Sequence, residues 1–193
     1  RLVRDWSSDV CSSDLKNYKK DESVSTFLQN VISTDEKYYS IADAFKALVV
    51  VDTAASRLMV EALLDTDSHT DIIRKSAITF FGSVITDKNY NRLKELVAYG
   101  GITWDARPEA VKQLEKYVKT KPKTVDLFVE MLQDNDRSVR RNAVRALKKH
   151  GKRTHIGALD EVLALDPILS RDVRAAKKDI LHPPKKPKKK GPE

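Results

Sequence analysis

The chain has 193 residues, a formal net charge of +8, and 33% charged against 7% aromatic side chains. A chain of this length can bury a core of its own, and a charge-rich, aromatic-poor composition favours helices over a β-sandwich. No apolar run approaches the ~20 residues of a membrane-spanning helix, and four of the seven prolines lie beyond residue 182, which leaves the body of the chain poor in turn residues.

The first segment stands apart. Asp5 to Leu15 reads Asp-Trp-Ser-Ser-Asp-Val-Cys-Ser-Ser-Asp-Leu and has neither a helical nor a strand period. It resembles a translated sequencing-library adapter without a mismatch. Residues 1–15 are therefore set aside as a non-native, disordered segment. Cys11, the only cysteine, goes with them, so the remaining chain says nothing about redox compartment. The parent gene is expected to continue upstream of Lys16.

From Lys16 onward the pattern is helical. Val24, Phe27, Leu28 and Val31 form a stripe within Lys16 to Ser33, read as the second helix of a truncated repeat. Thr34 to Leu48 is a first helix with Ala44 and Leu48 on its apolar face, and Arg57 to Leu64 follows as its partner. The next pair is Asp67 to Gly82 with Tyr90 to Tyr99. It is followed by Asp105 to Leu114 with Thr124 to Gln133, and then by Asp136 to Gly151 with Ile156 to Leu165. Asp172 to Leu181 is a last first-type helix. Pro108 is tolerable only in a first helical turn, which places that helix start near Asp105. Asp136 is a candidate N-cap, and Lys148, Lys149 and Gly151 suit a helix C-terminus.

The pairs keep time. Arg74, Arg107, Arg140 and Arg174 recur at intervals of 33, 33 and 34 residues, and Leu48, Phe81, Leu114, Leu147 and Leu181 at 33, 33, 33 and 34. Leu63, Leu96, Val129 and Leu163 keep the same beat in the second helices. Two amphipathic helices per unit at such a period define an all-α fold, a right-handed α-solenoid of antiparallel helix pairs with a period of about 33 residues. The domain is expected over 16–182. The small Ala77, Ala110 and Ala143 let neighbouring helices approach, and the ladder arginines are read as stacking groups, since Arg offers several donors in a fixed fork. In the last unit the alanine position falls on Lys177, so that helix is expected to cap the stack. The tail 183–193 is rich in Pro and Lys and has nothing apolar to bury, so it is expected to be disordered.

A Val-Arg-x-x-Ala-x-x-x-Leu frame recurs in the first helices, and Asp136 to Gly151 comes nearest to the Asp-x-x-Val-Arg-x-x-Ala-x-x-Ala-Leu-x-x-Leu-Gly motif usual in one family of helical repeats. This pattern resembles the HEAT-repeat family over roughly residues 34–181. The resemblance implies a non-catalytic stack of helix pairs that binds proteins.

Charge is uneven. Residues 182–193 carry five lysines and one glutamate, while the body over 16–181 has a net charge of only +5. A local basic cluster remains at Arg137, Arg141, Arg145, Lys148, Lys149, Lys152 and Arg153, around Arg140. It is the candidate binding surface, although its spacing spreads it over more than one helix face. The histidines at 69, 150, 155 and 182 lack metal-ligand spacing. No phosphate loop, nucleophile elbow or His-Glu-x-x-His occurs, so neither a catalytic residue nor a metal ligand is assigned. The Asp65/Asp67 and Asp134/Asp136 pairs sit at turns between units and read as caps.

Two segments resemble something narrower. Asp35-Glu36-Lys37-Tyr38-Tyr39 through Ala47-Leu48, and Asp67-Ser68-His69-Thr70-Asp71-Ile72-Ile73-Arg74 with the later Ala98-Tyr99-Gly100, are similar to the C-terminal helical-repeat domain of bacterial zinc aminopeptidases of the aminopeptidase N family. That resemblance implies a detached module which, in a parent enzyme, closes over the active-site cleft. The zinc and its ligands would lie on an upstream catalytic domain, and no cofactor belongs to these residues. Two rivals stand beside it: a separate repeat scaffold for a protein partner, and, less favoured, a nucleic-acid binder using the basic cluster and the lysine tail.

Overall fold

The computed structural model describes residues 15–183. The adapter-like segment other than Leu15, and the tail from residue 184, lie outside the described residues. Leu15 is itself helical and buried.

Among the described residues the fold is all-α. Ten α-helices follow in order: α1 (Glu22–Thr34), α2 (Tyr38–Val51), α3 (Thr53–Asp65), α4 (Ile72–Ser83), α5 (Asp87–Val97), α6 (Arg107–Leu114), α7 (Thr124–Glu130), α8 (Arg137–His150), α9 (Ile156–Leu165) and α10 (Ser170–Leu181). Short polar side chains start several of them, as their free N–H groups require. Asp21 accepts from Ser23 N and Val24 N at 2.9 and 3.2 Å. Asp52 accepts from Ala54 N and Ala55 N, both at 3.0 Å, Thr86 from Asn89 N at 3.2 Å, and Asp136 from Ser138 N at 2.6 Å. The N–H of Ala55 and the Ser25 hydroxyl hold the Asp52 carboxyl below its usual range. Pro108 falls in the first turn of α6, where its missing N–H costs nothing, though that helix begins at Arg107 rather than Asp105.

The described residues divide into two compact units, one up to Tyr117 and one from Val118. In the first, α2, α4 and α6 pack in succession, with α1 against α2, α3 against α2 and α4, and α5 against α4 and α6. Its core runs through Phe45, Phe80 and Phe81, with ring centroids 6.4 Å apart for the first pair and 5.5 Å for the second. Tyr117 closes it. Its ring is fully buried 5.3 Å from that of Tyr90, and its hydroxyl donates to the Phe81 carbonyl at 2.5 Å. Burial pushes the Tyr117 phenol pKa up. In the second unit α8 packs on α7 and α10, and α9 on α10. Its core gathers Phe128, Leu132, Val139, Ala143, Val144, Leu147, Leu159, Val162 and Val173.

The repeat holds better than its expected frame in one place and worse in another. Ala44, Ala77, Ala110 and Ala143 are all fully buried, and the next residue at the same interval is Ala176, also fully buried. Leu48, Phe81, Leu114 and Leu147 are likewise continued by the buried Ile180, whereas Leu181 is 38% exposed. The period therefore stays at 33, and the expected shift to 34 at Lys177, Leu181 and Arg174 is corrected: burial selects the small and branched apolar residues one position earlier. Lys177 therefore does not stand at the alanine position of the last unit; Ala176 does. In the second helices Leu63 and Leu96 are buried, but Phe128 and Val162 replace the expected Val129 and Leu163. In α1, Ser25, Leu28 and Ile32 face inward instead of the stripe through Val24 and Phe27.

Candidate interaction surface

The ladder arginines come first, because their position decides what is left for binding. Arg74 is mostly buried. Its Nε donates to the Leu64 carbonyl at 2.8 Å, and its two terminal nitrogens hold Asp71 at 2.7 Å and Asp67 at 2.5 Å. Arg107, also buried, sends Nε to the Val97 carbonyl at 2.6 Å. Arg140 is buried as well, and its Nη1 donates to the Asp134 and Asn135 carbonyls at 2.5 and 3.0 Å. Leu64 and Val97 lie at the C-terminal ends of α3 and α5, where carbonyls lack helical partners and a cation is favoured. Arg140 reaches farther along because α7 is short and tightens into a 3-10 turn at Met131–Gln133. Arg174 does none of this. It is exposed, and its Nε donates to Ser170 O at 3.2 Å within its own helix. Val173 occupies the inward position that the 33-residue interval assigns.

Two acids missed in the sequence complete these clamps. Asp71 is buried, accepts from Arg74, and accepts from the Thr103 hydroxyl at 2.5 Å, thirty-two residues away. To do so its backbone takes a left-handed φ of 54°, next to Thr70 at 52°, a conformation a β-branched residue seldom adopts. Asp166 is 3% exposed and sits between Arg137 Nε at 2.9 Å and Arg140 Nη2 at 2.5 Å. The Arg140 and Arg137 guanidiniums hold its carboxyl below the usual value of 3.8. Only its position after an amphipathic helix and before Pro167 marked it in the sequence, and that context signals a turn rather than a clamp. Asp67 serves Arg74 rather than a helix end, so of the two acidic pairs only Asp136 caps a helix.

The basic cluster on α8 is largely engaged. Arg137 is committed to Asp166. Arg141 lies 3.5 Å from Asp172 and Lys148 lies 3.4 Å from Asp179, both on α10. Lys149 also has an interaction within the described residues. Arg145, Lys152 and Arg153 are exposed. Two of its seven cations, Arg141 and Lys148, thus lie in the joint between α8 and α10.

Exposed apolar groups lie elsewhere. In the first unit the first turn of α2 carries Tyr38 and Tyr39, 44% and 64% exposed. The turn into α6 carries Tyr99 and Trp104, 85% and 75% exposed. Tyr38 and Trp104 are two repeat intervals apart. Gly100 supplies the positive φ of 78° that reverses the chain between the latter pair, and the Arg107 guanidinium stacks 5.8 Å from the Tyr99 ring. The same unit has a groove of about 610 Å³ lined by Val49, Val50, Thr53, Thr79, Ser83 and Val84, with Lys19 and Lys46. Its hydroxyl donors are already engaged by backbone carbonyls: Thr53 at the start of α3 donates to Val49 O near the end of α2, and within α4 Thr79 donates to Ser76 O and Ser83 to Thr79 O. Lys46 pairs with Asp43 at 2.9 Å. Among the described residues no three His, Cys, Asp or Glu side chains are grouped to hold a metal, and no helix is long and apolar enough to cross a membrane.

Comparison with the curated proteins and with the solved structures returns no match. The family model of HEAT repeats matches residues 103–177. Its frame of alternating helices coincides with α6 to α10, and the chain carries a HEAT-like helical repeat.

Proposed function

We propose that the chain is a non-catalytic interaction module that presents the N-terminal ends of its first-type helices, and the turn before α6, to a protein partner. The observation that carries this reading is the set of exposed aromatics there, Tyr38 and Tyr39 at the start of α2 and Tyr99 and Trp104 before α6. Ring side chains bring large contact area at low entropic cost and dominate interface energetics. Their exposure is not needed by the core, which closes without them. The test is affinity capture with the full chain against a Tyr99→Ala/Trp104→Ala double variant. Proteins retained by the parent chain and lost by the variant, with an unchanged thermal midpoint, support the reading. Equal retention by both rejects it.

A second reading is narrower: a covering module of a zinc aminopeptidase. What favours it is the resemblance at Asp67 to Arg74, the stretch that also forms the Asp67–Arg74–Asp71 clamp. In such a parent the catalytic domain would be the partner, and zinc its cofactor. Sequencing the gene upstream of Lys16 decides it. A zinc-binding His-Glu-x-x-His in frame supports the reading, and a different upstream domain removes it.

A further inference from the structure

The pairing of α8 with α10 shows what a basic helix face is for in this unit, and α10 has a similar face left open. On α8, Arg141 and Lys148 lie two turns apart and meet Asp172 and Asp179, themselves seven residues apart on α10. Stepping 33 residues along the chain places Arg174 where α8 has Arg141, and Lys178 where α8 has Arg145. Arg171 lies one turn before Arg174, and all three are exposed. No carboxylate of the described residues reaches Arg171, Arg174 or Lys178, and the Arg174 Nε falls back on Ser170 O. Apolar groups flank the stripe: Ile168 just before α10 is 63% exposed and Leu181 at its end 38% exposed. The helix meanwhile buries Val173, Ala176 and Ile180 on its other side. Its open face is therefore apolar at the ends and cationic between them.

We propose that this face of α10 docks an acidic amphipathic helix of a partner protein, one that carries carboxylates two turns apart beside apolar residues. The proposal rests on the interaction-module reading and names the chemistry of a partner for a different part of the surface. Charge selects the occupant. The chain's own residues 182–193 carry five lysines and one glutamate, the wrong sign to cover a basic stripe. A second copy stacking through α1 offers little better, since the exposed positions there are Glu22, Ser23, Thr26, Asn30, Ser33 and Thr34, with one carboxylate among them. Helix against helix, with carboxylates at i and i+7, is the arrangement the unit already uses between α8 and α10. The flanking Ile168 and Leu181 have a use against such a helix and none against a phosphate backbone.

The probe is a fluorescein-labelled helical peptide with two glutamates seven residues apart and leucines beside them, titrated with the full chain at rising salt. The expected result is saturable binding that weakens with salt. An Arg174→Glu/Lys178→Glu variant should lose affinity by a factor on the order of ten, with its thermal midpoint unchanged, while Arg57→Glu on the other unit should leave binding intact. A peptide of equal charge with its glutamates on opposite faces should bind more weakly. No binding, equal binding of both peptides, indifference to the charge reversal, or tighter binding of duplex DNA of matched charge would each overturn the proposal. Trp104-dependent capture is read separately. If it persists while the probe fails, the docking face is rejected and the module reading stands. If the probe binds while that capture is absent, the edge of aromatics is rejected alone.

Discussion

At the scale of single residues, the molecule spends its arginines on closure. Arg74, Arg107 and Arg140 each turn a guanidinium onto carbonyls at or just beyond the C-terminal end of a helix, where the backbone lacks helical partners. Asp166 is the most exacting partner, since one buried carboxylate answers two arginines. Its folded pKa is depressed, so its contribution is fully present above the unfolded value of about 3.9 and is lost as pH falls through the folded value. Asp166→Asn should therefore lower the thermal midpoint at pH 7. The gap between variant and parent chain should close as the pH is taken down below about 4. A gap that stays constant across that range would show that the charge on Asp166 is not what stabilises the clamp.

At the scale of elements, small residues set how closely helices pass. Ala77, Ala110, Ala143 and Ala176 repeat this along the first-type helices. Gly82 extends this to a close contact: a Cβ there would stand 2.1 Å from Gln113 Oε1 and 2.9 Å from Gln113 Cβ, across the contact of α4 with α6. The near carbon cannot swing aside, so Gly82→Ala should cost about 1–3 kcal/mol by strain, measured by urea denaturation. Gly151 has a related reason. Its φ of −68° is one any residue adopts, but a Cβ would meet the Leu147 carbonyl oxygen at 2.4 Å and Ile180 Cδ1 at 2.9 Å. It was legible in the sequence as a helix stop. Its function of letting α10 approach α8 was not, because contacts thirty residues apart leave no local pattern.

At the scale of the whole molecule, charge is the property that misleads most easily. A net +8 invites a nucleic-acid partner, yet much of the basic cluster on α8 is neutralised by Asp166, Asp172 and Asp179. Non-specific DNA binding is driven by unpaired cations that displace counterions. Binding to a 20-base-pair duplex is accordingly expected to be weak and lost near about 150 mM salt, where charges more than about 8 Å apart are screened. Fluorescence anisotropy against salt measures this, and tight binding at that salt would restore the nucleic-acid reading.

Periodicity alone determined that the chain is a helical repeat, where most helices run, and which alanines lie at their contacts. Those signals are local or recur at a fixed interval, and burial of one helix face enforces them. Tertiary structure decided the rest. It kept the interval at 33 in the last helix, where Arg174 and Lys177 had suggested a shift, because Ala176 and Ile180 fit the contact and charged groups do not. It also joined Asp71 to Thr103 and Asp166 to Arg137 and Arg140. Which cations are spent and which stay open depends on the acid that folding brings beside each one, and sequence spacing carries no record of that.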